Sequence, residues 1–275
     1  MLKTRVITAL ILLAILLPVL YFDYFPAFAM VVLVFFAAGA WECFRLFKSP
    51  RPAVWAVAWT LAFSVILFFS GLPSVRPLYV LCVLLWAIRF VPALGLGLPK
   101  AEAFANRLLN GTYMLSILGC FVAIVDLFLR SPLYLLSVMA VVWVADIGAY
   151  FAGKGFGRHK LAPSISPGKS WEGAIGGWLA VLVISAAVVM SVGLGETFQL
   201  HLYDRWGWLG FVAVLSVMVV ASVVGDLFES QLKRRAGMKD SSNLLPGHGG
   251  VLDRIDALIP VLPLAALIDL WLAAA

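Results

Sequence analysis

The stretch GTYMLSILGCFVAIVDLFLRSPLYLLSVMAVVWVADIGAYF, residues 111–151, decides the fold. It holds two apolar runs, Gly111 to Leu129 and Pro132 to Phe151, parted by Arg130 and Ser131. Each run is near the roughly 20 residues that an α-helix needs to cross a bilayer, and neither alternates apolar with polar residues as a barrel strand of about ten residues would. Working outward, similar runs lie near Val6 to Phe22, Pro26 to Cys43, Ala53 to Gly71 and Pro77 to Ala93 on one side. On the other they lie near Gly173 to Leu194, Gly207 to Leu227, and from Ala257 to the C-terminus. The pattern predicts an all-α, polytopic integral membrane protein with about nine transmembrane helices. The 275 residues are 63% hydrophobic and 12% charged, with a mean hydropathy of +1.04. Soluble domains are about half apolar and a quarter charged, so this composition excludes a soluble globular protein and leaves no length for a separate soluble domain.

Charge sets the expected orientation. With the N-terminus inside, only Arg76, Arg130 and Arg205 fall on outer connections, leaving 17 of the 20 Lys and Arg inside. That bias is typical of cytoplasmic loops, so the N-terminus is expected in the cytoplasm and the C-terminus outside. The first run, with Lys3 and Arg5 before it and Ala27, Phe28 and Ala29 after it, has the outline of a signal peptide. A second apolar run follows at once, and the charge bias closes only if the first helix stays. The net charge of +6, crowded into few loops, suits anionic lipid heads or phosphates, and nucleic acid is not an expected partner. Cys43, Cys82 and Cys120 lie far apart in apolar runs and indicate neither a disulfide framework nor a zinc site. Trp41, Trp206 and Trp271 near run ends fit interfacial anchoring. The chain is expected to divide into an N-terminal region, 1–107, of about four helices and a catalytic region, 108–275, of about five. Two long polar connections, Lys154 to Glu172 and Phe228 to Asp256, both fall on the inner face, where an active site would open to the cytoplasm.

Asp146 lies well inside its run, about 21 Å along a helix rising 1.5 Å per residue. An intramembrane carboxylate reads as functional by default, against the alternative of an aspartate hydrogen-bonded to a neighbouring helix. Asp126 and Arg130, four residues apart, read as a local pair. The turn Gly153, Lys154, Gly155, Phe156, Gly157, Arg158, followed by Ser164, Ser166, Lys169, Ser170 and Glu172, offers the close backbone approach and donors that a phosphate needs. Its spacing is not that of a P-loop, and a plain basic loop remains the other reading. If the eighth helix continues past its apolar run, Asp226, Ser230 and Lys233 share one face, while Arg235 is expected to snorkel to the surface. After the turn Pro246, Gly247, His248, Gly249, Gly250 come Asp253, Arg254 and Asp256. These carboxylates also suit a helix start as caps. Asp226 closes one run and Asp253 opens the next, so two antiparallel helices would present both at one depth. That suits a hard divalent cation such as magnesium, which takes one or two carboxylates with water and substrate phosphates. His248 is expected as a hydrogen-bond or turn residue, and His159 and His201 as loop residues without a role.

Ser230, Lys233 and Arg234, then Lys239 and Asp240, then Pro246, Gly247, His248, Gly249, Gly250, Asp253, Arg254 and Asp256 together resemble the signature of the phosphatidate cytidylyltransferase (CDP-diacylglycerol synthase) family. Asp146, Ala149, Tyr150 and Gly153, with Ser166 to Gly173, are similar to that family's upstream block. The resemblance implies an enzyme that joins CTP to phosphatidic acid in the bilayer, releasing pyrophosphate, with magnesium and a monovalent cation such as K+ as cofactors. A homodimer is expected from the family alone. On this reading Asp226 and Asp253 hold magnesium, while Lys233, Arg234 and Lys169 hold triphosphate or lipid phosphate. Ser230 and Ser166 are short donors, His248 and Arg254 secondary contacts, and Asp146 and Asp256 further ligands or partners of the basic groups. Two alternatives stay open: a CTP-dependent enzyme acting on a polyprenol or polyprenyl phosphate, and a transporter with Asp146 and Asp226 along an ion path.

Overall fold

A computed structural model describes residues 2–69, 75–191 and 195–274. The expected run ends at Gly71 and Leu194 lie outside the described residues. The chain begins with α1 (Leu2–Tyr21), α2 (Phe25–Leu46) and α3 (Pro52–Phe69). A continuous helical unit follows, made of α4 (Arg76–Leu85), a π-helical turn (Trp86–Phe90) and α5 (Val91–Leu96). Then come α6 (Phe104–Arg130), α7 (Pro132–Phe156), α8 (Trp171–Met190), α9 (Phe198–Ala236), the single turn α10 (Leu252–Ile255) and α11 (Leu258–Ala274). Among the described residues six of these units are long and apolar enough to cross a membrane, and three shorter apolar helices, Val6–Tyr21, Pro52–Phe68 and Leu258–Leu272, cover the remaining runs.

The break inside the deciding stretch has a local cause. Ser131 is extended and its hydroxyl accepts the Tyr134 amide at 2.9 Å, capping α7, whose first residue is Pro132. Proline suits a first helical turn because the amide it lacks would have no partner there. α6 is the most buried of the long helices and packs against α2, α4, α7 and α11. Phe28 stacks on Phe128 with centroids 3.7 Å apart. Nearer the other end of the bundle Trp86, Phe90, Tyr113 and Phe228 pack as an aromatic cluster that ties the π-helical turn and α6 to α9.

α7 and α8 make the most intimate pair, along a seam of small residues. A Cβ on Gly177 would lie 2.5 Å from the Ala145 carbonyl oxygen, so only glycine permits this approach. α9 is kinked at Gly207 (φ 61°), and its longer part, Trp208 to Ala236, runs about 44 Å. That exceeds a hydrocarbon core of about 30 Å, so the end bearing Ser230 and Lys233 projects beyond the apolar run.

Three expectations are corrected here. The polar connection after α7 is not wholly helix and loop: β1 (Lys160–Ala162) pairs antiparallel with β2 (Ser166–Ser170), with Lys160 opposite Ser170 and Ala162 opposite Ser166. The paired segments are too short for a periodic pattern to announce them. Asp126 accepts from the Tyr79 hydroxyl at 3.0 Å, while Arg130, the last residue of α6, reaches across to Asp269 of α11 and, at 2.5 Å, to His201 Nδ1. His201 therefore sits in the first turns of α9 with a partner, rather than in a loop. His159 lies in a loop as expected but is not idle, since its Nδ1 meets Glu172 Oε1 at 2.6 Å.

Candidate active site

The projecting end of α9 carries Asp226, Glu229, Ser230 and Lys233 on one side. The Ser230 hydroxyl donates to Asp226 Oδ1 at 3.1 Å. Glu229, wholly buried one turn before Lys233, forms an ion pair with its ammonium. Lys233 Nζ also meets Asp253 Oδ1 at 2.6 Å, so a single ammonium joins α9 to α10.

Asp253 is the hub of the loop between α9 and α10. Its Oδ2 accepts the amides of Ser241 and Gly250, each at 2.8 Å, and the Ser241 hydroxyl at 3.0 Å. Burial works against its charge, but Lys233 and these amides outweigh burial and hold the carboxyl below its ordinary range. The loop itself is a tight turn. The Leu245 amide bonds the Gly249 carbonyl at 2.9 Å, and the His248 amide bonds the Leu245 carbonyl at 2.8 Å. Thr8 of α1 donates to the Pro246 carbonyl at 2.8 Å, so the first helix touches this loop.

The hairpin brings the third part. Lys169 on β2 places Nζ 2.5 Å from Asp226 Oδ2. Lys169, Asp226 and Asp146 line one cavity of about 400 Å³ between α7, α8 and α9. Asp256 approaches from the turn before α11, where a Cβ on Gly225 would lie 2.5 Å from the Asp256 carbonyl oxygen. Glycine at 225 thus lets the α9 backbone press against that turn. Burial, and after it the charge of Asp226, push the Asp256 carboxyl up to about 7. A second cavity of about 490 Å³ on the other side of the loop is lined by Lys239, His248 and Arg254.

The expected residues fall into three groups. Asp146, Lys169, Asp226 and Ser230 are gathered at the first cavity, with Asp256 behind it. Asp253 and Lys233 form the adjoining link, while His248 and Arg254 flank the second cavity, the Arg254 guanidinium bonding the His248 carbonyl at 2.8 and 3.1 Å. Ser166 and Arg234 stand apart. Ser166 begins β2 and does not line the first cavity, where Ser170 stands instead, and Arg234 leans on the Ile165 carbonyl of the hairpin turn at 3.4 Å. Arg235 does not snorkel. It turns inward, donating to Asn106 Oδ1 at 2.7 Å and to the Pro99 carbonyl at 3.1 Å with its guanidinium 5.1 Å from the Phe47 ring, because those partners lie on its side of α9.

Two acids had drawn no attention in the sequence. Glu229 is three residues past Asp226 and four before Lys233, a spacing that could have marked it. Glu42 lies at the end of an apolar run, where the rule used for Asp146 applies equally. Its side chain is fully buried and receives donors from the loop that carries Asp253.

The donor set fits a hard cation. Among the described residues no three His, Cys, Asp or Glu side chains converge as a ready-made cage; magnesium takes one or two carboxylates and completes its shell with water and phosphate. Asp226 is the more open carboxylate, with about 30% of its side chain exposed against 5% for Asp253. A cation could reach Asp253 Oδ1 only by taking the place of the Lys233 ammonium. Asp226 and Asp253 do not touch each other here; each is held by its own lysine.

A bundle of apolar helices with clustered carboxylates and ammonium groups beside a cavity at one end defines a membrane-embedded enzyme of phosphate chemistry. The comparisons sharpen that class: residues 3–271 match the cytidylyltransferase family, and the chain belongs to it. It is 40% identical to a phosphatidate cytidylyltransferase of Pseudomonas aeruginosa over 282 residues, covering 99% of this chain and 98% of the relative. It is 37% identical to that of Haemophilus influenzae over 286 residues, covering 96% of each. A Staphylococcus aureus phosphatidate cytidylyltransferase matches at 41% over 139 residues, 48% of this chain and 46% of the relative.

Proposed function

We propose that this chain is a phosphatidate cytidylyltransferase that joins CTP to phosphatidate, giving CDP-diacylglycerol and pyrophosphate. The observation that carries the reading is the match to the Pseudomonas aeruginosa enzyme over nearly the whole of both chains. The site's chemistry agrees with it. A lipid phosphate is already an anion, so its oxygen can attack the α-phosphorus of CTP without a strong general base. The new P–O bond forms as the bond to the β-phosphate breaks, and the electron pair leaves with pyrophosphate. Two polyanions must meet in line at about 3 to 3.5 Å, so neutralising and positioning charge is the main task.

The residues divide that task. Asp226 and Asp253 are the proposed magnesium ligands, with Asp146 and Asp256 as further ligands or as holders for a monovalent ion such as K+. Magnesium, when bound, would supply charge neutralisation on the triphosphate. The ammonium groups of Lys169 and Lys233 stand against those two carboxylates. Once released, they would hold phosphate oxygens and the charge developing on the leaving group. Arg234 is assigned to phosphate as well, with Ser230 and Ser166 as short donors and His248 and Arg254 as secondary contacts. Nine spans, an inner-membrane location, a cytoplasm-facing site and a homodimer complete the proposal. The basic residues support the orientation, since 17 of 20 fall on one side of nine spans.

Pyrophosphate release by the purified protein in detergent tests the reading. Release should require CTP, magnesium and phosphatidate together. Release with a polyprenyl phosphate but not with phosphatidate would keep the site and change the acceptor. No release with any acceptor from folded protein would overturn the enzyme reading.

A further inference from the structure

Glu42 on α2 is separated by about two hundred residues of sequence from the loop it meets, and every lone-pair direction of its carboxylate faces a donor of that loop. Oε1 receives the Ser242 hydroxyl at 2.5 Å and the Val251 amide at 3.0 Å. Oε2 receives the Ser241 hydroxyl at 3.0 Å and the Leu252 amide at 2.7 Å. A carboxylate offers about four acceptor sites, so three are filled outright and the fourth by the Ser241 hydroxyl when it turns toward Glu42. The side chain has no exposed surface, and burying a charge is costly unless hydrogen bonds compensate it. The cradle is also tight: a Cβ on Gly250 would fall 2.0 Å from Ser241 Oγ and 2.5 Å from Glu42 Oε1.

The loop that Glu42 grips is the one that places Asp253. Ser241 Oγ lies 3.0 Å from Glu42 Oε2 and 3.0 Å from Asp253 Oδ2. The hydroxyl has one proton, so the two carboxylates share a single donor and the orientation of one is tied to the other. From Asp253 the chain of contacts runs on to Lys233 and Glu229. Packing alone would be served by an apolar side chain of similar volume. Four donors converging on one carboxylate instead select one conformation of Ser241, Ser242, Val251 and Leu252.

We propose that Glu42 is a positioning residue of the reaction, fixing through Ser241 and the start of α10 the place of the Asp253 carboxyl and hence the cation-holding side of the site. The proposal rests on the reading of Asp253 as a cation ligand. It brings a residue of the N-terminal helices into machinery whose other members all lie beyond residue 145.

Glu42→Gln puts an amide donor against two existing donors on whichever oxygen it replaces, and Ser241→Ala removes only the shared hydroxyl. Each variant of the full chain is purified in detergent and checked for a wild-type melting profile. Mn2+ binding is then followed by electron paramagnetic resonance, beside kcat and the KM for phosphatidate. Both variants should weaken Mn2+ binding and lower kcat by about 10- to 100-fold, the range seen when partners of metal ligands are removed, with the phosphatidate KM unchanged. The double variant should lose little more than either single one, because both act on one link. Wild-type Mn2+ affinity in both variants, with affinity lost in Asp253→Asn, would overturn the role of Glu42 and leave the reading of Asp253 standing. Wild-type affinity in Asp253→Asn would overturn that reading and this proposal with it. Should Glu42→Gln fail to fold, Ser241→Ala decides alone, and unchanged affinity there overturns the proposal.

Discussion

At one end of α7 and α11, Arg130, Tyr134, His201 and Asp269 form a closed group; at the other, Asp146, Lys169, Asp226, Glu229, Lys233, Asp253 and Asp256 form an open one. In the first, a single carboxylate takes both the Arg130 guanidinium and, at 2.5 Å, the Tyr134 hydroxyl. The guanidinium lies 4.2 Å from the Tyr134 ring centre and also meets His201. Arg130 and Asp269 balance each other, His201 also faces Glu196 at 3.7 Å beside a smaller cavity of about 300 Å³, and a planar fork stacked on an aromatic ring has little freedom left. In the second, five acidic side chains face the ammonium groups of Lys169 and Lys233, with that of Lys154 also lining the cavity and the Arg254 charge acting on Asp146 while its guanidinium bonds a backbone carbonyl, as Arg234 does. The surplus of negative charge beside a cavity is what a cation and a polyphosphate would complete. Charge at a helix end is therefore a lock when it is balanced and stacked, and a site when acid exceeds base and the bases are flexible lysines.

Substitutions at the two ends should separate accordingly. The largest effect is expected from Asp253→Asn, which removes a proposed ligand and the partner of Lys233. Turnover, read as pyrophosphate release across a magnesium titration, should fall by about three orders of magnitude or more. Lys233→Ala should cost about 10²- to 10³-fold in kcat, the usual size for one charged donor to a developing anion. Near-normal turnover in either would place the charge surplus outside the chemistry. Arg130→Ala at the closed end should instead lower stability by about 1 to 3 kcal/mol through the lost bonds to Asp269 and His201, with kcat per folded molecule within about twofold. Arg235→Ala should act in the same sense by a similar or smaller amount, because its bonds to Asn106 and Pro99 are structural. Thermal unfolding in detergent beside turnover distinguishes the two kinds of loss. The smallest effect is on pH. The Asp253 carboxyl is held below its ordinary value, so its contribution to stability is complete above the unfolded pKa of about 3.9 and is lost only as pH falls through the lower folded value. Melting temperatures should show no change from this group between about pH 5 and 8, and Asp253→Asn should remove the acid-side decline that it causes.

The helical architecture was legible because continuous apolar runs near twenty residues leave few alternatives, and among the described residues each run carries a helix, six of the helices long and apolar enough to cross a membrane and three shorter. The face shared by Asp226, Ser230 and Lys233 was legible for a similar reason, once the helix was taken past its apolar part. What escaped depended on contacts between distant segments. The hairpin that delivers Lys169 to Asp226 is too short for periodicity. Spacing pairs Arg130 with Asp126, but a residue at the last position of a helix can reach other helices, and Asp269 lies 139 residues away. The place of Arg235 at a helix end suggests snorkelling, whereas its direction is set by Asn106 and Phe47. Glu42 was visible as an acid in an apolar run, yet nothing local connects it to a loop some two hundred residues on.

The most direct test sets Asp226→Asn beside Asp269→Asn, one carboxylate from each end, and measures phosphatidate-dependent pyrophosphate release from CTP by folded protein at saturating magnesium. Release should vanish in Asp226→Asn and stay within about twofold of the parent in Asp269→Asn. Retained release in Asp226→Asn, or its loss in a well-folded Asp269→Asn, would contradict the assignment of chemistry to the open end.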